Sequence, residues 1–110
     1  MGLAFSIAAA AFAAMLALSA WAAGKLPAEG AVPVHFNLRG EPDRFGSRWI
    51  TLGIMPALFL PSVALILWLA SAAPSGSLER LTTGMGIAAV TFVVAHGVVI
   101  ALLMRWMVRR

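Results

Sequence analysis

The side chains that could carry chemistry are concentrated between residues 25 and 48. This stretch holds seven of the twelve formal charges of the chain, together with His35. His35, Glu41 and Asp43 could converge on zinc or a similar ion, since imidazole nitrogen and carboxylate oxygen both ligate zinc. Their spacing matches no recognised metal motif. We therefore predict no metal and no cofactor. A hydrogen-bonded cap on neighbouring helix ends is the favoured interpretation, and peptide or partner binding or a metal site are the alternatives.

Turn-forming residues predict that this polar loop has a fixed shape. Gly40 and Gly46 can adopt positive φ, which suits tight turns. Pro42 is preset for the second position of a turn, and Asp43 can bond its own backbone there. Asn37 can close a similar local turn.

His96 is the second residue that could carry chemistry, because it lies midway along an uncharged run. An ionisable residue inside a membrane span is a functional candidate by default. Its expected partner is Thr51, Ser62 or a carbonyl freed by Pro56 or Pro61. Without a carboxylate nearby a proton relay is incomplete, so we favour an interhelical hydrogen bond over a proton or ligand role.

Three uncharged stretches, residues 1–24, 49–78 and 81–104, must position these side chains. Each exceeds the about 20 apolar residues that a helix needs to cross a bilayer. The chain is 62% hydrophobic and 11% charged, whereas about a quarter of the residues of a soluble domain are charged. We predict an all-α membrane protein of one domain, residues 1–110. Its parts are helix 1 at about 3–23, a structured polar loop at 24–48, helix 2 at about 49–72 and helix 3 at about 81–106.

Local signals refine these helices. Ser47 is the expected cap of helix 2, and residues 74–77 are an expected turn that makes helices 2 and 3 antiparallel. Ala9, Ala13 and Ala17 either let another helix approach closely, which would suit a homo-oligomer, or serve only as good helix formers.

The composition also excludes several classes of protein. The chain has no cysteine, so it has no disulfide or thiolate chemistry. The net charge of +4 comes from basic residues at helix ends, which is normal for membrane proteins and predicts no nucleic-acid binding. There is no phosphate loop, catalytic triad or carboxylate pair between helices, so we predict that the protein is not an enzyme.

The loop reads L-P … P-x-H-F-N … G-E-P-D-x-x-G-S between Leu26 and Ser47. This pattern resembles the signature of the domain of unknown function 1648, the N-terminal part of SdpI-family bacterial membrane proteins. The matching positions are Pro33, His35, Asn37, Gly40, Glu41, Pro42, Asp43 and Gly46.

The resemblance implies a signature between the first two membrane helices. It also implies a role like that of the immunity proteins that typify the family and protect a bacterium from its own secreted peptide. We expect a binding module in a bacterial inner membrane that recognises a membrane-active peptide or a partner membrane protein. A transport or permeation component that uses His96 is the alternative. Positive charges near the spans place the N-terminus outside and the loop and C-terminus in the cytoplasm.

Overall fold

A computed structural model describes residues 2–27, 29–72 and 77–109 of the protein. Three long helices carry a small two-stranded sheet at one end. In chain order the elements are α1 (Gly2–Lys25), β1 (Val32–Phe36), β2 (Pro42–Gly46), α2 (Arg48–Ser71) and α3 (Ser77–Arg109).

All three helices are long and apolar enough to cross a bilayer. Their mean hydropathy over the most apolar window is 2.1, 2.2 and 2.5. The prediction of a three-helix membrane protein is therefore confirmed. The helices are the default conformation for such runs, because a helix satisfies its own backbone hydrogen bonds where no water is present.

The boundaries of the helices differ from the prediction mainly in α3, which begins at Ser77 rather than near 81. Glu79 lies in its first turn, where a carboxylate is favourable beside the positive end of the helix dipole. Charge alone therefore does not mark the start of this helix. The rest of the predicted turn, residues 74–76, lies outside the described residues. At α2 the Ser47 hydroxyl accepts from the backbone N–H of Trp49 as the predicted cap.

The helices pack through two clusters of buried residues. Away from the sheet, α1 and the first half of α3 meet around Phe59 of α2. That cluster contains Ala4, Ala8, Ala11, Met15, Phe59, Leu81, Met85 and Ala89. The second cluster lies beside the sheet and contains Ala22, Leu26, Val32, Leu52, Ile100 and Leu103. The start of α1 thus meets the start of α3, and α2 runs antiparallel to both.

Small residues give α1 its packing face, but they are not the ones the spacing suggested. The buried residues of α1 are Ala4, Ala8, Ala11, Met15 and Ala22. Ala9, Ala13 and Ala17 are exposed on the bundle surface. Within the described part of this chain the stripe packs on no helix, so contact with another molecule and simple helix formation are the interpretations that remain. Alanine occurs on every face of α1, and its spacing alone therefore does not identify the packed face.

The predicted polar loop is an antiparallel β-hairpin. Val32 pairs with Gly46, Pro33 with Phe45, His35 with Arg44 and Phe36 with Pro42, with irregularities on either side of His35. A two-stranded hairpin alone is marginally stable in water. This one is supported because Val32 and Pro33 are buried against the helices.

Candidate functional site

One strand of the hairpin is attached to the helices. The Thr51 hydroxyl of α2 donates to the carbonyl oxygen of Pro33 at 2.5 Å, and Thr51 is itself buried. Val32 belongs to the cluster at this end of the bundle. The strand β1 is therefore held on α2 by a buried hydrogen bond and by apolar packing.

The middle residues of the other strand are exposed. Asp43, Arg44 and Phe45 in β2 are all exposed. Within the described residues, β1 is the only strand that pairs with β2. The hairpin thus presents β2 and its outer edge at the surface.

Asn37 shapes the turn between the strands. Its side-chain oxygen accepts from the backbone N–H of Arg39 at 2.9 Å and of Glu41 at 3.0 Å. Its backbone N–H donates to Glu41 and its carbonyl accepts from Gly40. Gly40 has φ +76°, the left-handed conformation that glycine adopts most easily. The turn predicted at Asn37 and the positive φ at Gly40 are confirmed.

Three other expectations for this loop are wrong. Pro42 begins β2 instead of occupying a turn, and Asp43 follows it in the strand. Gly46 ends β2 without a positive φ. Its small size matters for a different reason, since a Cβ there would lie 3.2 Å from a methyl carbon of Val34.

His35 and Asp43 form the polar pair of the hairpin. Nδ1 of His35 lies 2.7 Å from Oδ1 of Asp43 across the two strands, with 63% and 42% of the side chains exposed. Glu41, the third residue of the predicted cluster, makes no such contact. No group of three or more potential metal ligands occurs in the described part of the chain.

His96 joins all three helices deep in the bundle. Its Nε2 lies 2.8 Å from Oγ of Ser19 in α1, and the Ser19 hydroxyl donates to the carbonyl oxygen of Leu52 in α2 at 2.6 Å. Because that hydroxyl has a single hydrogen, Ser19 accepts from His96, which is then protonated on Nε2. The imidazole is fully buried, and its Nδ1 has no partner among the described residues.

The proline in α2 explains why this carbonyl is available. Pro56 has no N–H and so leaves the carbonyl four residues earlier, that of Leu52, without its helical donor. The direct partners predicted for His96 are wrong, because Thr51 bonds Pro33 and Ser62 bonds its own helix at Leu58. A carbonyl freed by Pro56 was among the predicted partners, and His96 reaches it through the hydroxyl of Ser19, a residue that no sequence motif marked.

Tryptophan and cationic side chains ring the hairpin end of the bundle. The Lys25 ammonium lies 5.9 Å from the ring centre of Trp21, and the Arg48 guanidinium lies 4.6 Å from that of Trp49. Such residues favour the membrane–water interface. From Trp49 to Trp68 the helix α2 rises about 28 Å at 1.5 Å per residue, close to the about 30 Å of a hydrocarbon core. A bilayer that covers this length of α2 would place the hairpin at headgroup level.

Arg48 also connects the end of α1 to the start of α2. Its guanidinium donates to the carbonyl oxygen of Ala23 at 3.1 Å. Ala23 lies in the last turn of α1, where the helix leaves carbonyls without donors and where a cation is favourable. This bond links the end of α1 to the start of α2, and the hairpin is the segment that connects these two ends.

These features define a small multi-pass membrane protein with an anchored hairpin at the membrane surface. The model of the family described as Domain of unknown function (DUF1648) matches residues 10–60, a little under half of the chain, and this segment is therefore similar to the domains of that family. The match covers most of α1, the hairpin and the first half of α2, so His96 and the rest of α3 lie outside it. A search of curated proteins and a search of solved structures found no match.

Proposed function

We propose that this protein is a membrane-embedded binding module, not an enzyme, whose hairpin recognises an extended segment of a partner. One observation carries the proposal: β1 is anchored by the Thr51 bond to Pro33, while β2 is exposed and has no strand on its outer edge among the described residues. An anchored hairpin loses little freedom on binding, so less of the interaction energy is spent on ordering it.

Strand addition is the binding mode that this geometry favours. An extended segment that adds to a sheet edge gains affinity from main-chain hydrogen bonds and specificity from side chains. The charged residues Asp43 and Arg44 on β2 work against indiscriminate pairing with other edges. Phe45, 53% exposed, offers apolar surface beside them.

We further propose a bacterial inner membrane as the location, with the hairpin and the C-terminus in the cytoplasm. The hairpin end of the bundle carries most of the basic residues, and the opposite end carries Arg80. Lys and Arg near the spans favour the cytoplasmic side. Fusions of a reporter to each terminus test this orientation.

The orientation bears on the identity of the partner. A cytoplasmic hairpin meets a partner membrane protein directly, whereas a secreted peptide would first have to enter the bilayer. We therefore favour a partner membrane protein. The immunity role that the SdpI-family resemblance implies becomes the better proposal if the reporters place the hairpin outside.

Transport through the bundle is the rival proposal, because His96 is ionisable and buried. Its ring reaches two other helices through Ser19 and Leu52, an arrangement that suits an interhelical hydrogen bond. Proton flux into vesicles carrying the protein tests the rival directly. Flux that is present in the wild type and lost in His96→Leu would favour transport over binding.

Self-association is a further part of the proposal. The stripe of Ala9, Ala13 and Ala17 is exposed on α1, and small residues at this spacing let helices approach closely in lipid. Ala13→Leu is expected to shift the protein towards the monomer in detergent, measured by light scattering. An unchanged mass would remove this part of the proposal.

Photocrosslinking tests the binding proposal. A benzoylphenylalanine at Arg44, in the open strand, is expected to give an adduct of one discrete mass with a membrane protein or peptide in the native cells. The same photoreactive residue at Leu65, on the lipid-facing surface of α2 and 54% exposed, is the matched control. If position 44 yields only the lipid adducts of position 65, the binding proposal fails.

A second variant tests whether the anchored shape of the hairpin matters. Thr51→Val removes the bond to Pro33 with little change in volume, and it is expected to lower the yield of the adduct at position 44. Thr82→Val is the control, because Thr82 bonds only its own helix at Leu78. Equal yields from both variants would contradict recognition by an anchored hairpin.

A further inference from the structure

A cleft separates the tip of the hairpin from the last turns of α3. Residues 40–42 form one wall, and Leu102, Arg105, Trp106 and Arg109 form the other, around a volume of about 290 Å³. The two walls approach closely, since a Cβ on Gly40 would lie 3.1 Å from Cδ2 of Leu102 and 3.9 Å from a guanidinium nitrogen of Arg105. We name this space the arginine cleft.

Two cations line the arginine cleft and have no counterion among the residues that the structure describes. Arg105 and Arg109 are four residues apart, so they project from the same face of α3. Both are exposed, and among the described residues neither forms an ion pair; the only such pair joins His35 and Asp43. Glu41 also lies on the cleft wall, but it does not neutralise either guanidinium.

The wall of the cleft that α3 forms is apolar at its deeper end and cationic at its outer end. Leu102 lies about one turn deeper than Arg105 and Trp106, and Arg109 lies about one turn further out. Trp106 contacts Phe45 of the hairpin, with ring centres 6.1 Å apart. It lies at the same end of the bundle as Trp21 and Trp49. An apolar floor thus lies below a cationic rim at headgroup level.

We propose that the arginine cleft binds the headgroup of an anionic phospholipid, with its phosphate at Arg105 and Arg109 and the start of an acyl chain on Leu102. The planar guanidinium matches phosphate oxygens in pairs. Basic pockets at the ends of membrane helices bind acidic headgroups in this way. The volume is at the small end of ligand sites, which begin at about 300 Å³, so it suits a headgroup whose chains remain in the bilayer. The lipid proposal does not rest on partner recognition by β2, although β2 borders the cleft through Pro42 and through the contact of Phe45 with Trp106.

Fluorescence quenching in vesicles tests the lipid site. The protein is reconstituted in phosphatidylcholine vesicles that also contain one brominated lipid. That lipid is either phosphatidylglycerol or phosphatidylcholine, and its bromine atoms lie near the headgroup. The contribution of Trp106 is obtained by comparison with Trp106→Phe. We expect brominated phosphatidylglycerol to quench Trp106 in preference to brominated phosphatidylcholine. Equal quenching by the two lipids would overturn the proposal.

Two double variants that remove the same number of charges distinguish a specific lipid site from non-specific attraction by the positive surface. Arg105→Gln with Arg109→Gln is expected to lower the preference for phosphatidylglycerol about tenfold, and Arg39→Gln with Arg44→Gln less than about twofold, because only the first pair loses direct phosphate contacts. If both double variants lost the preference for phosphatidylglycerol to a similar extent, general surface charge would explain it, and the proposal of a specific lipid site would be wrong.

Two further arms keep the result decisive. Arg105→Lys with Arg109→Lys keeps both charges and serves as the test if the glutamine variant fails to fold. It is expected to retain a reduced preference for phosphatidylglycerol over phosphatidylcholine. A complete loss of this preference would contradict the proposal. Excess inorganic phosphate, added to vesicles of phosphatidylcholine alone, is expected to leave the Trp106 emission unchanged. A change abolished by the glutamine variant would identify a free-phosphate site instead of a lipid site.

Discussion

The hydroxyl of Ser19 lies 2.6 Å from the carbonyl oxygen of Leu52, to which it donates. That carbonyl is the one that Pro56 leaves without a helical donor. The same Ser19 oxygen accepts from His96, 2.8 Å away. One small hydroxyl thus satisfies a backbone defect in α2 and a buried imidazole in α3, and it holds the three helices together at a single depth.

Ser19→Ala is expected to destabilise the bundle by about 1–3 kcal/mol, because a buried carbonyl and a buried N–H both lose their partner. Interhelical hydrogen bonds within membranes contribute about 0.6 kcal/mol on average and about 1.7 kcal/mol at most, so a loss at the lower end of the range is expected. Unfolding by a denaturing detergent, followed by helical circular dichroism, measures the change. Ser62→Ala is the control, since Ser62 is bonded within its own helix to Leu58. Equal stability of the two variants would contradict a structural role for Ser19.

Pro56→Ala is expected to make the loss of Ser19 less costly. An alanine restores the backbone N–H at position 56, which can bond the Leu52 carbonyl in the helical manner. The double-mutant cycle of Ser19→Ala and Pro56→Ala should then give a coupling of about 0.5–2 kcal/mol. Pro61→Ala is the matched control, because its freed carbonyl belongs to Ala57 and not to Leu52. If Pro61→Ala couples to Ser19→Ala as strongly as Pro56→Ala does, the link between Pro56 and Ser19 is wrong.

The membrane helices could be predicted from the sequence because a bilayer imposes a simple rule on long uncharged runs. Pro56 could likewise be predicted to free a carbonyl, since the defect depends only on the chain itself. The donor that fills it could not be predicted. Ser19 comes from another helix, 33 residues away, and only the relative rotation of α1 and α2 brings its hydroxyl to Leu52.

The hairpin illustrates the same limit on a smaller scale. Asn37 and Gly40 were predicted correctly because their turn is closed by local bonds. Pro42 and Gly46 were assigned to turns on their residue types, yet both lie in β2. Whether such residues turn or extend depends on the pairing with β1, and β1 is held in place by the distant residue Thr51.

Thr51→Val is expected to loosen the hairpin without unfolding the helices. The variant leaves the buried carbonyl of Pro33 without its donor, at a cost of about 1–3 kcal/mol. Hydrogen exchange should therefore become faster in β1 and β2, by about tenfold or more, and stay unchanged in α1 and α3. Uniform acceleration along the whole chain would instead indicate global destabilisation and contradict a local anchor.

Gly40→Ala and Gly30→Ala distinguish two reasons for a glycine in the polar stretch. One is a positive φ, and the other is the close approach of a neighbouring side chain. Both glycines have positive φ, +76° and +96°, so both variants carry the conformational cost of about 1–2 kcal/mol for a left-handed alanine. Among the described residues, only at position 40 does the new methyl group meet a neighbour, Cδ2 of Leu102 at 3.1 Å, whereas none of them lies within 4 Å at position 30. In Gly40→Ala the Leu102 side chain must also shift by a few tenths of an ångström, so this variant should be the more destabilising of the two. Unfolding by a denaturing detergent, followed by helical circular dichroism, compares them. Equal stability of the two variants would show that the contact with Leu102 adds nothing to the conformational cost.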